Sequence, residues 1–242
     1  MEFNEVLYSR RSIREFADRE VAQETLDAIL SDAIETPSSS NTQPYKLAVA
    51  TGETCKQIGE ELLANYHEIN KYQRQPLPLK LFNLMISKAR PDGDILPILG
   101  KYPGIFQERR IKTGKGLYEI WGIKRGDRKA RDAALARNFT FFNAPVAIFV
   151  FVHPGMKSTS SLDTGMMMQS LMLSATSRGL GTCAQATLGM WRSPLEKHFD
   201  IPMGYKLICG ISLGYPKDDE PANKYRPEKI SLNELLISKK SN

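Results

Sequence analysis

The feature that most restricts the fold is an apolar run in the second half of the chain, Val146-Ala-Ile-Phe-Val-Phe-Val152. A strand of this composition has no side suited to water, so we expect it to be buried on both faces. The segment Lys206-Leu-Ile-Cys-Gly-Ile-Ser-Leu213 predicts a second buried strand. A chain of 242 residues is long enough to enclose both strands in a core that needs no disulfide or metal.

Helical patterns surround these strands. A Met- and Leu-rich segment that is apolar on most faces predicts a buried helix from about Ser160 to Ser177. Further predictions are helices at Phe3–Ser9, Ala22–Glu35, Glu53–Tyr66 and Arg128–Phe141, and a strand at Lys46–Thr51. Because helices and strands alternate irregularly, the pattern indicates a single α+β domain over residues 1–242 and not a βαβ repeat.

The segment from about 70 to 126 differs from the rest in order and in charge. Five prolines interrupt it, which predicts an irregular insertion or lid with short helices near Leu79–Ser87 and Gly116–Trp121. Residues 71–131 hold fifteen Lys and Arg against five Asp and Glu, although the whole chain carries only +6. Such a segment covers an anionic cofactor or substrate, binds nucleic acid, or is simply a solvated surface. Few aromatic residues interleave the cations, so no nucleic-acid partner is expected.

Two cationic segments at opposite ends of the chain predict an anion site. Alternate residues of an extended segment share one face, so Arg10, Ser12 and Arg14 would point together and suit a phosphate. Lys224 and Arg226 would likewise share one side of an extended strip, and would complete the site if the fold brings them to Arg10. The alternative is an ordinary basic surface at each end.

Two loops between predicted elements are candidates for contacting a ring. Pro37-Ser-Ser-Ser-Asn-Thr-Gln-Pro44 is constrained by its prolines, and either presents amides to a polar ring edge or simply joins a helix to a strand. The segment from Gly179 to Gly189 contains glycines that permit close backbone approach. Neither a GxGxxG pattern nor a P-loop occurs, so a Rossmann or Walker site is not indicated.

No motif supplies an acid, a base or a metal. The three cysteines lack metal or redox spacing, and the three histidines are isolated, so no metal is expected. An enzyme without such groups often leaves the chemistry to a cofactor. The polar N-terminal segment predicts no signal peptide, and no apolar run reaches the ~18 residues of a membrane span, so we expect a cytoplasmic protein without a membrane partner.

Taken in order, these segments resemble the nitroreductase family of FMN enzymes, on the strength of Arg10-Arg-Ser-Ile-Arg-Glu-Phe16, Pro37–Pro44, Gly179-Leu-Gly-Thr182 and Gly214-Tyr-Pro216 with Lys224 and Arg226. The similarity extends from residue 5 to about 235, excluding part of 70–126. Segments 116–123 and 137–145 are most similar to the nitrobenzoate-reductase-like branch. The resemblance implies a mixed, mainly antiparallel central sheet flanked by helices, in an intertwined homodimer that carries two FMN sites.

The resemblance also implies residue roles, which divide by the part of FMN that they would contact. The phosphate would be bound by Arg10, Ser12, Lys224 and Arg226, and Arg11 would also bind the cofactor. The ring would be reached from the partner subunit by Pro37, Ser38, Ser39 and Asn41, and lined near N5 by Leu188 and Gly189 with Gln185 close by. Some relatives carry an acidic residue at the position of Leu188, so that contact would be made by backbone only. Arg14 would be catalytic, stabilising the negative charge that reduction leaves on N1 and the C2 carbonyl.

The implied activity is a two-step electron transfer. NAD(P)H would reduce the flavin at N5, and a small electron-poor acceptor such as a nitroarene or quinone would reoxidise it in a ping-pong mechanism. The alternatives are another FMN-dependent reaction on the same fold, such as a dehydrogenase or a flavin-modifying enzyme, and a non-enzymatic anion- or nucleic-acid-binding protein.

Overall fold

The computed structural model describes residues 2–94 and 100–240. Within them, one antiparallel sheet has the strand order β1-β2-β4-β3. Its strands are β1 (Tyr45–Thr51), β2 (Val146–Val152), β3 (Gly181–Gln185) and β4 (Lys206–Gly214). The predicted α+β class and mainly antiparallel sheet are confirmed.

Strand β2 lies inside the sheet, and all seven of its residues are buried. Because side chains alternate along a strand, Ala147, Phe149 and Phe151 enter one half of the core. Val146, Ile148 and Val150 enter the other half. The expectation of a strand buried on both faces is confirmed, and it requires helices on both sides of the sheet.

The helices of the described residues are α1 (Phe3–Ser9), α2 (Gln23–Ile34), α3 (Gly52–Tyr72), α4 (Leu77–Ile86), α5 (Ile105–Ile120), α6 (Arg128–Ala136), α7 (Ser158–Ser177), α8 (Ser193–Glu196), α9 (Pro221–Lys224) and α10 (Leu232–Leu235). Helices α2 and α7 cover the face of Ile148, while α3 covers the face of Phe149. None of the helices placed in residues 2–94 and 100–240 combines the length and apolar character needed to cross a bilayer.

Three helix predictions need correction. The segment 70–126 is more regular than expected, because α5 begins at Ile105 and the predicted helix at Gly116–Trp121 is only its last part. Helix α6 ends at Ala136, five residues early, since the chain then turns into a 3-10 segment in which Phe141 and Phe142 both have φ of 56°. Helix α7 is buried on one side only within this chain, and Leu162 on its other side is exposed.

Candidate functional site

The first cationic segment extends the sheet beyond β3. Ser12 forms a parallel bridge with Thr182, and the amide of Ile13 donates to the Thr182 carbonyl at 2.9 Å. Ile13 is buried and packs on Gly181, where any side chain would clash with it. Since neighbouring side chains alternate, Ser12 and Arg14 remain half-buried on the opposite face, as expected.

Asn223 ties this strip to the C-terminal part of the chain. Its Oδ1 accepts from the amides of Arg14 at 2.7 Å and Glu15 at 3.2 Å. Its Nδ2 donates to the carbonyls of Glu15 at 2.7 Å and Lys217 at 2.9 Å. The side chain is 2% exposed, so it is a buried clamp between segments 208 and 209 residues apart. No pattern in the sequence predicts this role for Asn223.

The arginines of the two segments meet. Arg226 donates to the carbonyls of Tyr8 at 2.6 Å and Ser9 at 3.5 Å, immediately before Arg10. Arg11 donates to the backbone carbonyl of Asn223. Burial lowers the pKa of Arg11, and the nearby charge of Arg226 lowers it further. The predicted meeting of the two ends is therefore observed.

Within residues 2–94 and 100–240 the arginine cluster has no direct ion pair, although the charge of Asp218 acts on Arg11 and raises its pKa against the two lowering effects. In the part of the chain that the structure describes, none of Arg10, Arg11, Arg14 and Arg226 forms an ion pair with a carboxylate. Lys224 is exposed and is the last residue of α9, so the expected extended strip is wrong at this position. The proline at the start of α9 favours a helical turn there.

A buried thiol lies beneath the strip. Burial raises the pKa of Cys183, while the charge of Arg14, a hydrogen bond from Ser12 and the charge of Arg10 act in the opposite direction. All three groups are therefore close to this one side chain of β3. The structure brings Arg10, Ser12 and Arg14 together, as their spacing predicts.

The loop from Pro37 to Pro44 lies at the other edge of the sheet, next to β1. The amide of Ser39 donates to the carboxylate of Asp163, which is 1% exposed, at 3.2 Å. Positive φ angles at Ser40 (49°) and Asn41 (55°) give the loop a strained, defined shape. Three strand spacings separate β1 from β3, which is about 14 Å. Within one chain, the loop and the arginine cluster are not brought together.

The glycine-containing segment after α7 forms β3 and a 3-10 turn, Ala186–Gly189. Leu188 is fully buried and its side chain packs against Gly210, so the side chain is not free to contact a ligand; the expected backbone contact stays a prediction. Gly189 packs on the Ile208 carbonyl, from which an added Cβ would lie only 3.0 Å away.

Gln185 has a different environment from the one expected. Its amide donates to the carbonyl of Asn138 at 3.0 Å and to Asn138 Oδ1 at 3.2 Å, and it accepts from the Ser212 hydroxyl. The side chain is buried and fully hydrogen-bonded. The side chain of Gln185 is therefore held by Asn138 and Ser212, and its expected place close to a flavin ring stays a prediction.

Two further features had no signal in the sequence patterns. Arg137 donates to the carbonyl of Arg14 at 2.9 Å, pairs with Glu15 and lies over the ring of Trp121 at 5.1 Å. The amide of Gly93 donates to the Met190 carbonyl at 2.9 Å, and any side chain at Gly93 would overlap the turn at 189–190. Both features bring the 70–126 segment or its neighbours onto the candidate site.

A cleft of about 1030 Å³ lies away from these residues. Its walls are residues 18–23, the beginning of α3 and residues 140–146, and none of the expected site residues lines it. The volume of this cleft is therefore no evidence that it is the functional site. The described residues also contain no cluster of three or more His, Cys, Asp and Glu placed to hold a metal.

Comparison with known proteins agrees with this geometry. A model of the nitroreductase family matches residues 7–215. A 4-nitrobenzoate reductase of Nocardioides sp. (strain LMS-CY) is 33% identical over 220 residues, which are 90% of this chain and 82% of that protein. A 4-nitrobenzoate reductase of Pseudomonas putida is 32% identical over 225 residues, covering 93% and 90%.

Solved structures give the same answer. The FMN-dependent nitroreductase NfnB of Mycobacterium smegmatis, solved in complex with NADPH, superposes with a TM-score of 0.84 at 27% identity, covering 98% of this chain and 97% of that one. The family match spans most of the chain, and the relatives align over nearly its whole length. The chain belongs to the nitroreductase family.

Proposed function

We propose that this protein is an FMN-dependent oxidoreductase that transfers electrons from NAD(P)H to nitroaromatic or similar electron-poor acceptors. One observation carries the proposal: arginines from two ends of the chain converge, and none of them forms a direct ion pair with a carboxylate in the described residues. A phosphate group carries a charge of about −1.5 to −2 at neutral pH, which suits such a cluster. The choice of cofactor is supported by two relatives, one named an FMN-dependent nitroreductase and the other a putative NAD(P)H nitroreductase.

The residues present fit FMN. Arg10, Arg11 and Arg226 offer guanidinium groups to the phosphate, Ser12 offers a hydroxyl, and exposed Lys224 reaches from the end of α9. Guanidinium–phosphate pairs are charge-assisted and frequently bidentate, so they are among the stronger polar contacts in proteins.

Arg14 and the turn at Leu188–Gly189 would hold the ring. When bound, FMN supplies the transfer of electrons from the nicotinamide to the acceptor. The backbone of Arg14 is fixed by Asn223 and Arg137, and its guanidinium donates to the Ser12 carbonyl at 3.3 Å, so we propose that it is positioned before any charge develops. A preorganised cation of this kind stabilises developing negative charge at the ring edge without reorganisation.

A second subunit would complete the site. Pro37, Ser38, Ser39 and Asn41 lie at the edge of the sheet opposite to the arginine cluster, so we propose that they act on the partner's flavin in a homodimer. Exposed Leu162 and the half-buried face of α7 provide apolar surface for such an interface.

The acceptor would be a small anionic nitroarene. Two relatives are named 4-nitrobenzoate reductases, and their named substrate carries a carboxylate. The surplus of cations in residues 71–131 would favour an anionic acceptor or the phosphate of NADPH. The single-domain organisation and the function of residues 70–126 as a cover over the site stay predictions.

Flavin titration and anaerobic stopped-flow reduction test the proposal. Wild-type protein should bind FMN, and the flavin band should bleach with NADH or NADPH and return with a nitrobenzoate. Arg226→Ala should lose FMN affinity, whereas Lys229→Ala, an exposed cation three residues later, should not. Failure to bind FMN refutes the proposal. Bound FMN that neither nicotinamide reduces points instead to another flavin reaction on this fold.

Subunit complementation tests the two-chain site. Arg226→Ala and a Ser39→Ala/Asn41→Ala variant are each expected to bind FMN poorly. After refolding together, a hybrid dimer has one site made of intact cations and an intact loop, so about a quarter of all sites should recover if assembly is random. No recovery would place both parts in the same chain.

A further inference from the structure

The residue between the two C-terminal cations packs on α5. Tyr225 separates Lys224 from Arg226, and its ring lies over Gly116. A Cβ added at Gly116 would be 2.5 Å from Tyr225 Oη, 2.8 Å from Cε2 and 2.9 Å from Cζ. The Tyr225 hydroxyl also donates to the Thr113 carbonyl, at 3.4 Å. The ring therefore fits a notch in the helix that only glycine provides.

A second glycine in the same helix shows that the notch is specific. Glycine is unfavourable inside a helix, yet α5 contains both Gly114 and Gly116. A Cβ added at Gly114 would meet nothing within 4 Å. Alanine would thus fit at Gly114 and not at Gly116, and the difference is due to Tyr225.

The same helix reaches the first cationic strip just beyond its C-terminal end. Arg137 bonds to the carbonyl of Arg14 and lies over the ring of Trp121, which directly follows α5. The ion pairs Arg109–Glu234 and Lys112–Glu228 also join α5 to the C-terminal segment, but all four side chains are at least 41% exposed, so they contribute little. The Tyr225 ring on Gly116 and the Trp121 ring under Arg137 are therefore the main contacts between α5 and the two cationic segments.

We propose that Tyr225 and Gly116 are positioning residues for the phosphate site, so that the placement of α5 sets the affinity for the FMN phosphate. This inference rests on the proposed function. Tyr225 is joined through single peptide bonds to Lys224 and Arg226, while Asn223, one residue before Lys224, is fixed by the backbone of Arg14 and Glu15. Because Asn223 is clamped, displacement of the Tyr225 ring would shift the backbone that follows it and, with that backbone, the cations on either side of Tyr225.

Coupling of this kind is reciprocal. If α5 holds the cations in place for the phosphate, then bound phosphate must stabilise the docked position of α5. Amide hydrogen exchange in α5 should therefore be slower with FMN than with riboflavin, which has the same ring and lacks the phosphate.

The test compares Gly116→Ala with Gly114→Ala, since both replace glycine by alanine in one helix. The apoprotein is titrated with FMN and with riboflavin, following the quenching of flavin fluorescence. Overpacking shifts such an equilibrium by about tenfold or more, so Gly116→Ala should bind FMN about tenfold more weakly, with riboflavin affinity within about twofold of wild type. Gly114→Ala should match wild type with both ligands. A merely structural defect would weaken the binding of both flavins equally.

Tyr225→Leu keeps the inference testable if Gly116→Ala does not fold. It removes the ring, so it should lower the preference for FMN over riboflavin, and adding Gly116→Ala should then have little further effect. An unchanged FMN-to-riboflavin ratio in either single variant would overturn the inference while leaving the proposed function intact. A wild-type protein that binds neither flavin would overturn the proposed function as well.

Discussion

Replacing Asn223 by alanine should destabilise the protein more than any surface substitution. The side chain makes four hydrogen bonds, to the amides of Arg14 and Glu15 and to the carbonyls of Glu15 and Lys217. It is buried, so water cannot simply replace it. Alanine at this position leaves two donors and two acceptors of the backbone without their partner.

The magnitude follows from the number of bonds. Each intramolecular hydrogen bond contributes a net of about 0.5–1.5 kcal/mol, and an unpartnered buried group costs about 1–3 kcal/mol. Because Arg14 and Glu15 are only half-buried, water will reach part of the exposed backbone. We therefore expect a loss of about 3 kcal/mol in the free energy of unfolding, a large share of the roughly 5–15 kcal/mol typical of folded domains.

Urea unfolding of the apoprotein, followed by circular dichroism, measures this loss. Variants must be compared at equal protein concentration, since assembly between subunits would change the apparent stability. Asn233→Ala, on the exposed helix α10, is the matched control and should stay within about 0.5 kcal/mol of wild type. A loss below about 1 kcal/mol for Asn223→Ala, or one equal to the control, would refute the clamp.

Three further predictions concern the buried side chain of Gln185, two cysteine thiols and the exposed carboxylate of Asp32. Gln185→Leu should cost about 3 kcal/mol, and combining it with Ser212→Ala should cost less than the sum of the single changes, as a double-mutant cycle by urea unfolding would show. Burial raises the pKa of Cys55 and of Cys209 to about 12 each, above the ~8.5 of an unfolded thiol, so stability is full below about pH 8.5 and is lost as pH rises toward 12. When both thiols are replaced by alanine, the free energy of unfolding should fall less steeply between about pH 8.5 and 10, as urea unfolding would measure. An unchanged dependence on pH would contradict the assignment to these thiols. The Ser174 hydroxyl, with help from Arg178, lowers the pKa of Asp32, so its contribution is present above the unfolded value and is lost as pH falls through the folded one. Asp32→Asn should therefore weaken the dependence of the unfolding midpoint on pH below about 4, and an unaltered acid limb would count against it.

The sequence predicts those parts of the fold that depend on local periodicity. Strand β2 is predictable because every residue from Val146 to Val152 is apolar. Seven consecutive apolar side chains of a strand are all buried only when both faces of that strand are covered. The alternation of Arg10, Ser12 and Arg14 predicts a shared face for the same reason, since the buried Ile13 fixes the orientation of its neighbours.

Features that depend on tertiary contacts leave no such periodicity. Helix α5 has no buried residue and is weakly patterned, and its two glycines would suggest a break in the helix to anyone who does not know of the ring over Gly116. The sequence around Asn223 is typical of an ordinary turn, because three of its four hydrogen bonds go to backbone groups of Arg14 and Glu15, more than two hundred residues away. The side chain of Gln185 is likewise used by Asn138 and Ser212, neighbours that only the fold reveals.

The strand order explains why the proposed site needs two chains. Strand β3 is an edge of the described sheet and receives the strip of Ser12, so the arginine cluster lies beyond that edge. Strand β1 is the opposite edge, and the loop that precedes it is fixed there by Asp163 on α7. No rearrangement of the loop alone can carry it across the interior strands, because the loop is tied to β1 and that strand is paired along its whole length with β2. In a two-fold dimer each chain uses the same surface toward its partner. A loop that cannot reach the arginine cluster of its own chain can therefore cover the arginine cluster of the partner chain.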